Sequence, residues 1–380
     1  MGNSSAKGIS IAFSNTPQAK DDYFVLNEEN AGTVQQLDVM GNDLGGAAKS
    51  LYSLDDGVGI QTSELLTART TSTSKLGVPI AIINEKISYD INKLLTLYSI
   101  TNIQSMAAGE HLTDSFTYAI KLGSGALSWA TATVEIVGMN DAAVITGVST
   151  SRLTEDSNVN SGHLIASGKL DVTDVDHDQN SFASGTYQTP NALGSVSLDV
   201  KGNWTYVVDN AKVQHLAAGQ ITTDVITVQS IDGTSQNITI TLVGINDVAS
   251  FSGDTSGRVT EDGTLIASGT LIVSDVDDGQ AQLIAATGES ANGSFTVDAD
   301  GQWTFTANND KIQHLAAGQT ITEIVTVQSI DGTNQNILVT LTGINDAATI
   351  SGTSTGSVVE DGNDTATGVL RVADVDDGQA

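Results

Sequence analysis

The chain repeats itself at a period near one hundred residues, and that period limits what it can fold into. Val259-Thr260-Glu261-Asp262-Gly263 returns as Val358-Val359-Glu360-Asp361-Gly362. Gln214-His215-Leu216-Ala217-Ala218-Gly219-Gln220 returns as Gln313-His314-Leu315-Ala316-Ala317-Gly318-Gln319. The ending Gly244-Ile245-Asn246-Asp247 returns as Gly343-Ile344-Asn345-Asp346, just under one hundred positions on. A looser ending, Gly138-Met139-Asn140-Asp141, precedes the first of them by slightly more than one hundred. A solenoid unit takes about 20–50 residues. A period twice that long fits an array of whole domains, each with its own core.

Inside a repeat the residues read as strands. Residues 293–298 and 302–307 alternate apolar with polar, and 321–328 and 336–342 are rich in Ile, Val and Thr, the composition of half-buried β-structure. Asp300-Gly301 and Asp331-Gly332 fall between such runs and read as hairpin turns. Asp310 to Ala317 gives the only helical signal, one short turn. Short strands at this density predict tandem immunoglobulin-like or cadherin-like β-sandwiches, an all-β extended array. Trp204 and Trp303 occupy equivalent positions and are expected in the cores, as are Tyr206 and Phe305. The boundaries expected are a flexible lead at 1–17, a divergent sandwich at 18–141, repeats at 142–247 and 248–346, and the truncated start of a further repeat at 347–380. The chain is therefore expected to be a piece of a longer array.

With 45 acidic and 15 basic side chains the chain carries a net charge of −30. Such a chain repels nucleic acid and anionic lipid, so neither is expected as a partner. No cysteine is present, so no disulfide staples a domain. No apolar run reaches the roughly 18 residues of a membrane span.

The acidic residues recur in register. Each unit has a linker Asn-Asp pair, then Glu-Asp, then an Asp-Val-Asp cluster. Glu261 follows Asp247 by fourteen positions, and Asp275 follows Glu261 by fourteen more; Asp346, Glu360 and Asp374 repeat both intervals. Asp141 to Glu155 is the same interval, but Asp174 follows Glu155 by nineteen. The extra residues fall around Asn158 to Gly162, where a loop absorbs them. The candidate ligands are Asn140, Asp141, Glu155, Asp156, Asp174, Asp176 and Asp178; Asn246, Asp247, Glu261, Asp262, Asp275, Asp277 and Asp278; and Asn345, Asp346, Glu360, Asp361, Asp374, Asp376 and Asp377. Apolar strands separate the clusters, so each is expected at a strand end. The pole beside the incoming linker would then gather five or six carboxylates, with Asp247, Glu261, Asp275 and Asp277 around one site.

Carboxylates packed that closely need a counter-charge. Ca²⁺ accepts 6–8 oxygens in loose geometry, whereas Mg²⁺ holds to a stricter octahedron. Zinc and copper favour His or Cys, and neither recurs in these clusters. The bland alternative is a solvated acidic face, but solubility needs charge anywhere and coordination needs it at fixed positions. The clusters are not EF-hands. Asp174, Asp176 and Asp178 match the first ligand positions, but Gln179 and Gly185 stand where that loop needs Gly and Glu. Asp298, Asp300 and Asp331 are expected in turns.

The run TEDG, SDVDDGQ, GSFTVDADGQWTFTANND, HLAAGQ, TVQSIDGT and ITLTGIND resembles the VCBS repeat of large RTX-type bacterial surface adhesins. The resemblance covers 142–346 closely and 347–380 as a truncated copy. It reaches 18–141 as a divergent relative through Ala19-Lys20-Asp21-Asp22, residues 37–44 (LDVMGNDL) and residues 51–57 (LYSLDDG). It implies type I export, retention at the bacterial cell surface, a role in attachment or biofilm formation, and calcium-stiffened sandwiches acting as an extender. The first domain departs from it, with Asp21/Asp22 and Glu28/Glu29 as its acidic pairs and Asn42-Asp43 where Asp-Val-Asp is expected.

The resulting expectation is a monomeric, non-enzymatic spacer whose partners are its neighbouring domains. The alternative is a module that binds a glycan or protein. Such a site would break the repeat symmetry, and the stretch between Gln61 and Ile103, with Tyr89 and Tyr98, is the candidate. Catalysis has little support. Gly352-Thr353-Ser354-Thr355-Gly356 fits G-x-S-x-G but sits in an inter-domain approach, away from any strand-to-helix elbow. His215 and His314 are expected to pack or cap.

Overall fold

The computed structural model describes residues 18–59, 62–96, 103–188 and 192–379. The lead at 1–17 and Tyr98 lie outside the described residues. The described residues form an all-β array with three separate apolar cores. Helix among the described residues is confined to short turns such as Asn309–Ile312.

The second sandwich shows the plan. One sheet orders Thr150–Thr154, Ser235–Val243 and Ile221–Gln229 side by side; the other is five-stranded and runs through His163–Thr173 and Asn203–Asp209. Along Ile221–Gln229, Asp224, Ile226 and Val228 point inward while Ile221, Thr223 and Val225 face out, the period of two expected of a sheet with one wet face. Trp204, Tyr206, Val208, Ile226, Ile238 and Ile240 fill the space between the sheets. The third sandwich repeats this with Trp303, Phe305, Val325, Ile337 and Val339. Both indoles are in the core as expected, and each donates its N–H to a main-chain carbonyl, Val148 O at 2.7 Å and Asp254 O at 2.8 Å. A Cβ on Gly168 would stand 2.5 Å from the Trp204 ring, so glycine is what admits the indole.

The first sandwich pairs Asp22–Asn27, Leu127–Val137, His111–Lys121 and Ser50–Asp55 in one sheet, and Gln35–Leu37, Lys86–Tyr89, Pro79–Ile83 and Thr71–Thr73 in the other. Tyr89 is fully buried, stacks on Phe116 and donates its hydroxyl to Asp114 at 2.6 Å. The expectation that it marks a ligand site is therefore corrected. The described part of the symmetry-breaking stretch supplies core strands and a core aromatic.

Strand direction fixes the poles. In each sandwich an early strand pairs in parallel with the last: Asp22–Asn27 with Leu127–Val137, Thr150–Thr154 with Ser235–Val243, and Ser256–Thr260 with Asn334–Thr342. The two strands of each such pair therefore finish at the same end, where the chain exits into the next linker. The strand that follows, such as His163–Thr173, returns to the entry end.

Candidate metal centres

Glu155 follows Thr154 directly, and its N–H bonds Val243 O at 3.0 Å; Glu261 does the same to Thr342 O at 3.1 Å. The Glu-Asp pair thus sits at the exit pole and the Asp-Val-Asp cluster at the entry pole. This corrects the expected grouping around one pole. A strand that crosses the whole sandwich separates Glu261 from Asp275, so one sequence interval carries the chain from one pole to the other.

The carboxylates meet across domain junctions instead. Among the described residues, three trios bring an oxygen from each member within 4.8 Å of the others: Glu28, Asp141 and Asp176; Glu155, Asp247 and Asp277; Glu261, Asp346 and Asp376. Each trio takes one residue from the preceding sandwich, one from the linker and one from the following unit. The pattern of hydrogen bonds is the same in all three. The glutamate Oε1 accepts a linker N–H: Met139 at 2.6 Å, Ile245 at 2.7 Å and Ile344 at 2.6 Å. The aspartate Oδ2 accepts the N–H of the linker aspartate: Asp141 at 3.1 Å, Asp247 at 3.1 Å and Asp346 at 3.2 Å. The other oxygen of each of these carboxylates, Glu28, Glu155 and Glu261 Oε2 and Asp176, Asp277 and Asp376 Oδ1, is buried with no partner. Asp247 and Asp346 Oδ2 are also orphaned, as are Asp174 and Asp275 Oδ2.

Burial is the main reason these acids are hard to ionise. It lifts Glu28 to about 7, and neighbouring carboxylates add to it. Burial and the same crowding raise Glu155, Asp176, Asp247, Glu261 and Asp277 above their ordinary range. A buried carboxylate oxygen without a donor is costly. A hard cation that binds oxygens at about 2.3–2.6 Å fits a trio of this span. The trios hold only carboxylates, a donor set that suits hard cations such as calcium or magnesium better than zinc or copper.

Two further turn aspartates grip the linker. Asp232 accepts the Ala143 N–H at 3.1 Å and Asp331 accepts the Ala249 N–H at 3.1 Å, in addition to their turn bonds. The repeated Leu-Ala-Ala-Gly motif cradles the linker glycine. Gly219 N bonds Gly244 O at 3.0 Å, and a Cβ on Gly244 would stand 2.0 Å from Leu216 O. His215 and His314 act through their backbone: their carbonyls accept the Asp278 N–H at 3.0 Å and the Asp377 N–H at 2.9 Å across the junction, while both residues are exposed.

The other expected ligands stand outside the trios. Asn140, Asn246 and Asn345 bond the carbonyl of the residue that follows. Asp156 and Asp262 take left-handed φ of 55° and 52° and bond Asn210 and Asn309, yet lie near enough to raise Asp247 and Asp346. Asp374 accepts the N–H of Asp376 at 3.0 Å. Asp178 holds φ 63° where the next unit has Gly279 at 80°, so its repeat equivalent carries no ligand. Glu360 and Asp361 are exposed and join no trio among the described residues. Sequence reasoning misses Glu28 as a candidate ligand. Its signal is the alternating strand Asp22–Asn27 ending on an acidic pair, as Thr150–Thr154 does.

The family model for the bacterial cadherin-like domain matches residues 140–244 and 246–343, over half of the chain, and the chain belongs to that family. Such domains are extracellular modules of the adhesion type. Comparison with curated protein sequences gives no match. Among solved structures, the chain is similar to protocadherin gamma B2 extracellular cadherin domains 1-5, at 14% identity over 95% of this chain and 67% of that one, with a TM-score of 0.38. It is also similar to human CDH23 EC21-23, at 12% identity over 84% and 97%, with a TM-score of 0.32. Among the described residues, no helix is long and apolar enough to cross a membrane.

Proposed function

We propose that this chain is a calcium-stiffened extender of a secreted bacterial surface adhesin of the VCBS-repeat, RTX type, holding an adhesive part away from the cell during attachment and biofilm formation. The observation that carries the reading is the recurrence, at three junctions, of buried carboxylate oxygens from two successive units aimed at one another without a partner. An ion there ties two rigid bodies through a linker too short to set their angle alone. The ligands at each junction are the trio and its orphaned neighbours; the acids outside the trios tune the local charge.

The test is a calcium titration of the whole chain by calorimetry, paired with small-angle scattering. Three sandwiches in line give a radius of gyration of about 35 Å, and a compact globule of this length gives about 21 Å. Saturable calcium binding together with the in-line value is expected. No heat of binding, or the compact value in the presence of calcium, would sink the reading.

The alternative of a glycan-binding module has one observation in its favour. Trp129 and Tyr23 are 46% and 63% exposed on the outer face of the first sandwich, where repeat register gives the second sandwich Ser235 and Thr150. Exposed rings on a flat sheet can stack on sugars. Glycan-induced quenching of Trp129 fluorescence, lost in Trp129→Ala, would favour it.

A further inference from the structure

The three trios have a fourth counterpart that is built differently. At the entry pole of the first sandwich, Asp43 is the equivalent of Asp176, Asp277 and Asp376. Like them it is buried, and like them it accepts the N–H of the incoming chain, here Lys20 at 2.7 Å. Lys20 therefore stands where the other junctions have a linker aspartate. Neither Asp43 nor Asp22 has a buried oxygen without a partner. The Tyr118 hydroxyl lies 2.8 Å from Asp22 Oδ2, 2.8 Å from Val39 O and 3.2 Å from Asp43 Oδ1. Strand register places Val228 and Val327 at the Tyr118 position in the later sandwiches.

One phenol proton cannot serve all these acceptors. Lys49 adds a positive charge beside them: its Nζ donates to the main-chain carbonyls of Met40, at 2.7 Å, and Asp43. Main-chain carbonyls converge on that ammonium as they would on a cation. Burial raises the Asp43 carboxyl, and the charges of Lys49 and Lys20 oppose the rise.

We infer that this pole is closed by a lysine ammonium in place of a metal ion, so that the first sandwich needs calcium at its exit pole and not at its entry pole. The contrast rests on the calcium reading of the other three sites. The closure itself rests only on Lys49, Tyr118 and Asp43. The consequence is an asymmetric module: chelation releases the junctions in series, while the entry end of the first sandwich stays shut.

Hydrogen exchange on the whole chain, with calcium and with chelator, separates the two. Segments 141–147, 247–253 and 346–352 should exchange at least tenfold faster in chelator, and segment 38–49 should change less than twofold. Lys49→Met should speed exchange of 38–49 at least tenfold in chelator, and Lys49→Arg, which keeps the charge, should retain protection. A wild-type 38–49 segment that opens in chelator as the junctions do would overturn the inference, as would a Lys49→Met protein as protected there as wild type. Junction segments indifferent to chelator would overturn the calcium reading instead, and the Lys49→Met result would still decide the closure.

Discussion

The carboxylates of Glu155 and Asp277 belong to different sandwiches and grip one linker from opposite sides. Glu155 Oε1 holds the Ile245 N–H at 2.7 Å, and Asp277 Oδ2 holds the Asp247 N–H at 3.1 Å. Each is left with one buried, unpartnered oxygen at the shared centre. The hydrogen bonds position the linker, and the free oxygens form a centre that could hold a cation.

Glu155→Gln preserves shape and leaves an amide oxygen for Ile245. It removes one of the negative charges that set affinity for a hard cation. Calcium affinity at this junction should fall about tenfold or more, or about 1.4 kcal/mol. Calorimetry should show one class of site weakened and the others unchanged. Asp277→Asn should behave alike, and the double variant should lose less than the sum, because both act on one ion.

Without calcium, stability should depend on pH in a defined direction. Glu28, Glu155, Asp176, Asp247, Glu261 and Asp277 are all raised by burial, Glu28 to about 7. A carboxyl raised in the folded state binds protons more tightly folded than unfolded. Its contribution is fully present below the unfolded value of about 4 and is lost as pH rises through the folded value. Asp232 acts oppositely: the cost of its burial is outweighed by donors from Ser230 and Thr234, which lower it to about 2. Its contribution is present above the unfolded value and is lost as pH falls through the folded one. The chelated chain should therefore melt highest near pH 4–5. Glu28 alone should cost it on the order of 2 kcal/mol by pH 7.5, with solvent screening discounted. Calcium should reverse that loss. Melting curves from pH 4 to 8 with chelator and with calcium check it; a chelated protein that gains stability between pH 5 and 7 would contradict it.

The sandwiches and their core aromatics are legible in the sequence because a period of two and a period near one hundred both show in the order of residues. The site is legible only as composition. Some of the recurring acids meet in trios that could hold an ion, but which acids share a centre depends on strand direction, and fixed spacing does not report direction. Glu261 precedes Asp275 by fourteen positions and yet lies at the other end of the third sandwich. Glu28 escapes because its unit lacks the Asp-Val-Asp signal, and Lys49 because a single lysine on a loop has no periodicity at all. The roles of Asp232 and Asp331 are half legible: their turns follow from Asp-Gly chemistry, but their grip on the linker is a long-range contact.

Gly244 and Gly219 separate steric from conformational cost. A Cβ on Gly244 would lie 2.0 Å from Leu216 O and 2.4 Å from Ala217 O, both backbone. Gly219 has φ +77° but open space around it. Gly219→Ala should cost about 1 kcal/mol of left-handed strain. Gly244→Ala must displace the linker from its cradle and should cost about 3 kcal/mol, the upper part of the usual range for a single substitution. Denaturant melts of both variants in calcium should rank them in that order, and equal costs would show that the cradle yields.

Glu261→Gln tests the division of the poles directly. Glu261 shares its centre with Asp346 and Asp376, whereas Asp277 shares one with Glu155 and Asp247, beside the orphaned Oδ2 of Asp275. The two sets sit at opposite ends of one sandwich, separated by strands such as Ile266–Ser274. Spin labels placed across the second and third sandwiches should report a calcium-dependent narrowing of their distance distribution in the wild type. Glu261→Gln should keep that narrowing, and Asp275→Ala should weaken it, because its orphaned oxygen belongs to that junction. Calorimetry on Glu261→Gln should still register a weakened site, the one formed with Asp346 and Asp376. The reverse result, loss of the narrowing in Glu261→Gln and its survival in Asp275→Ala, would return Glu261 to the entry pole and break the assignment of one carboxylate from each side of every junction.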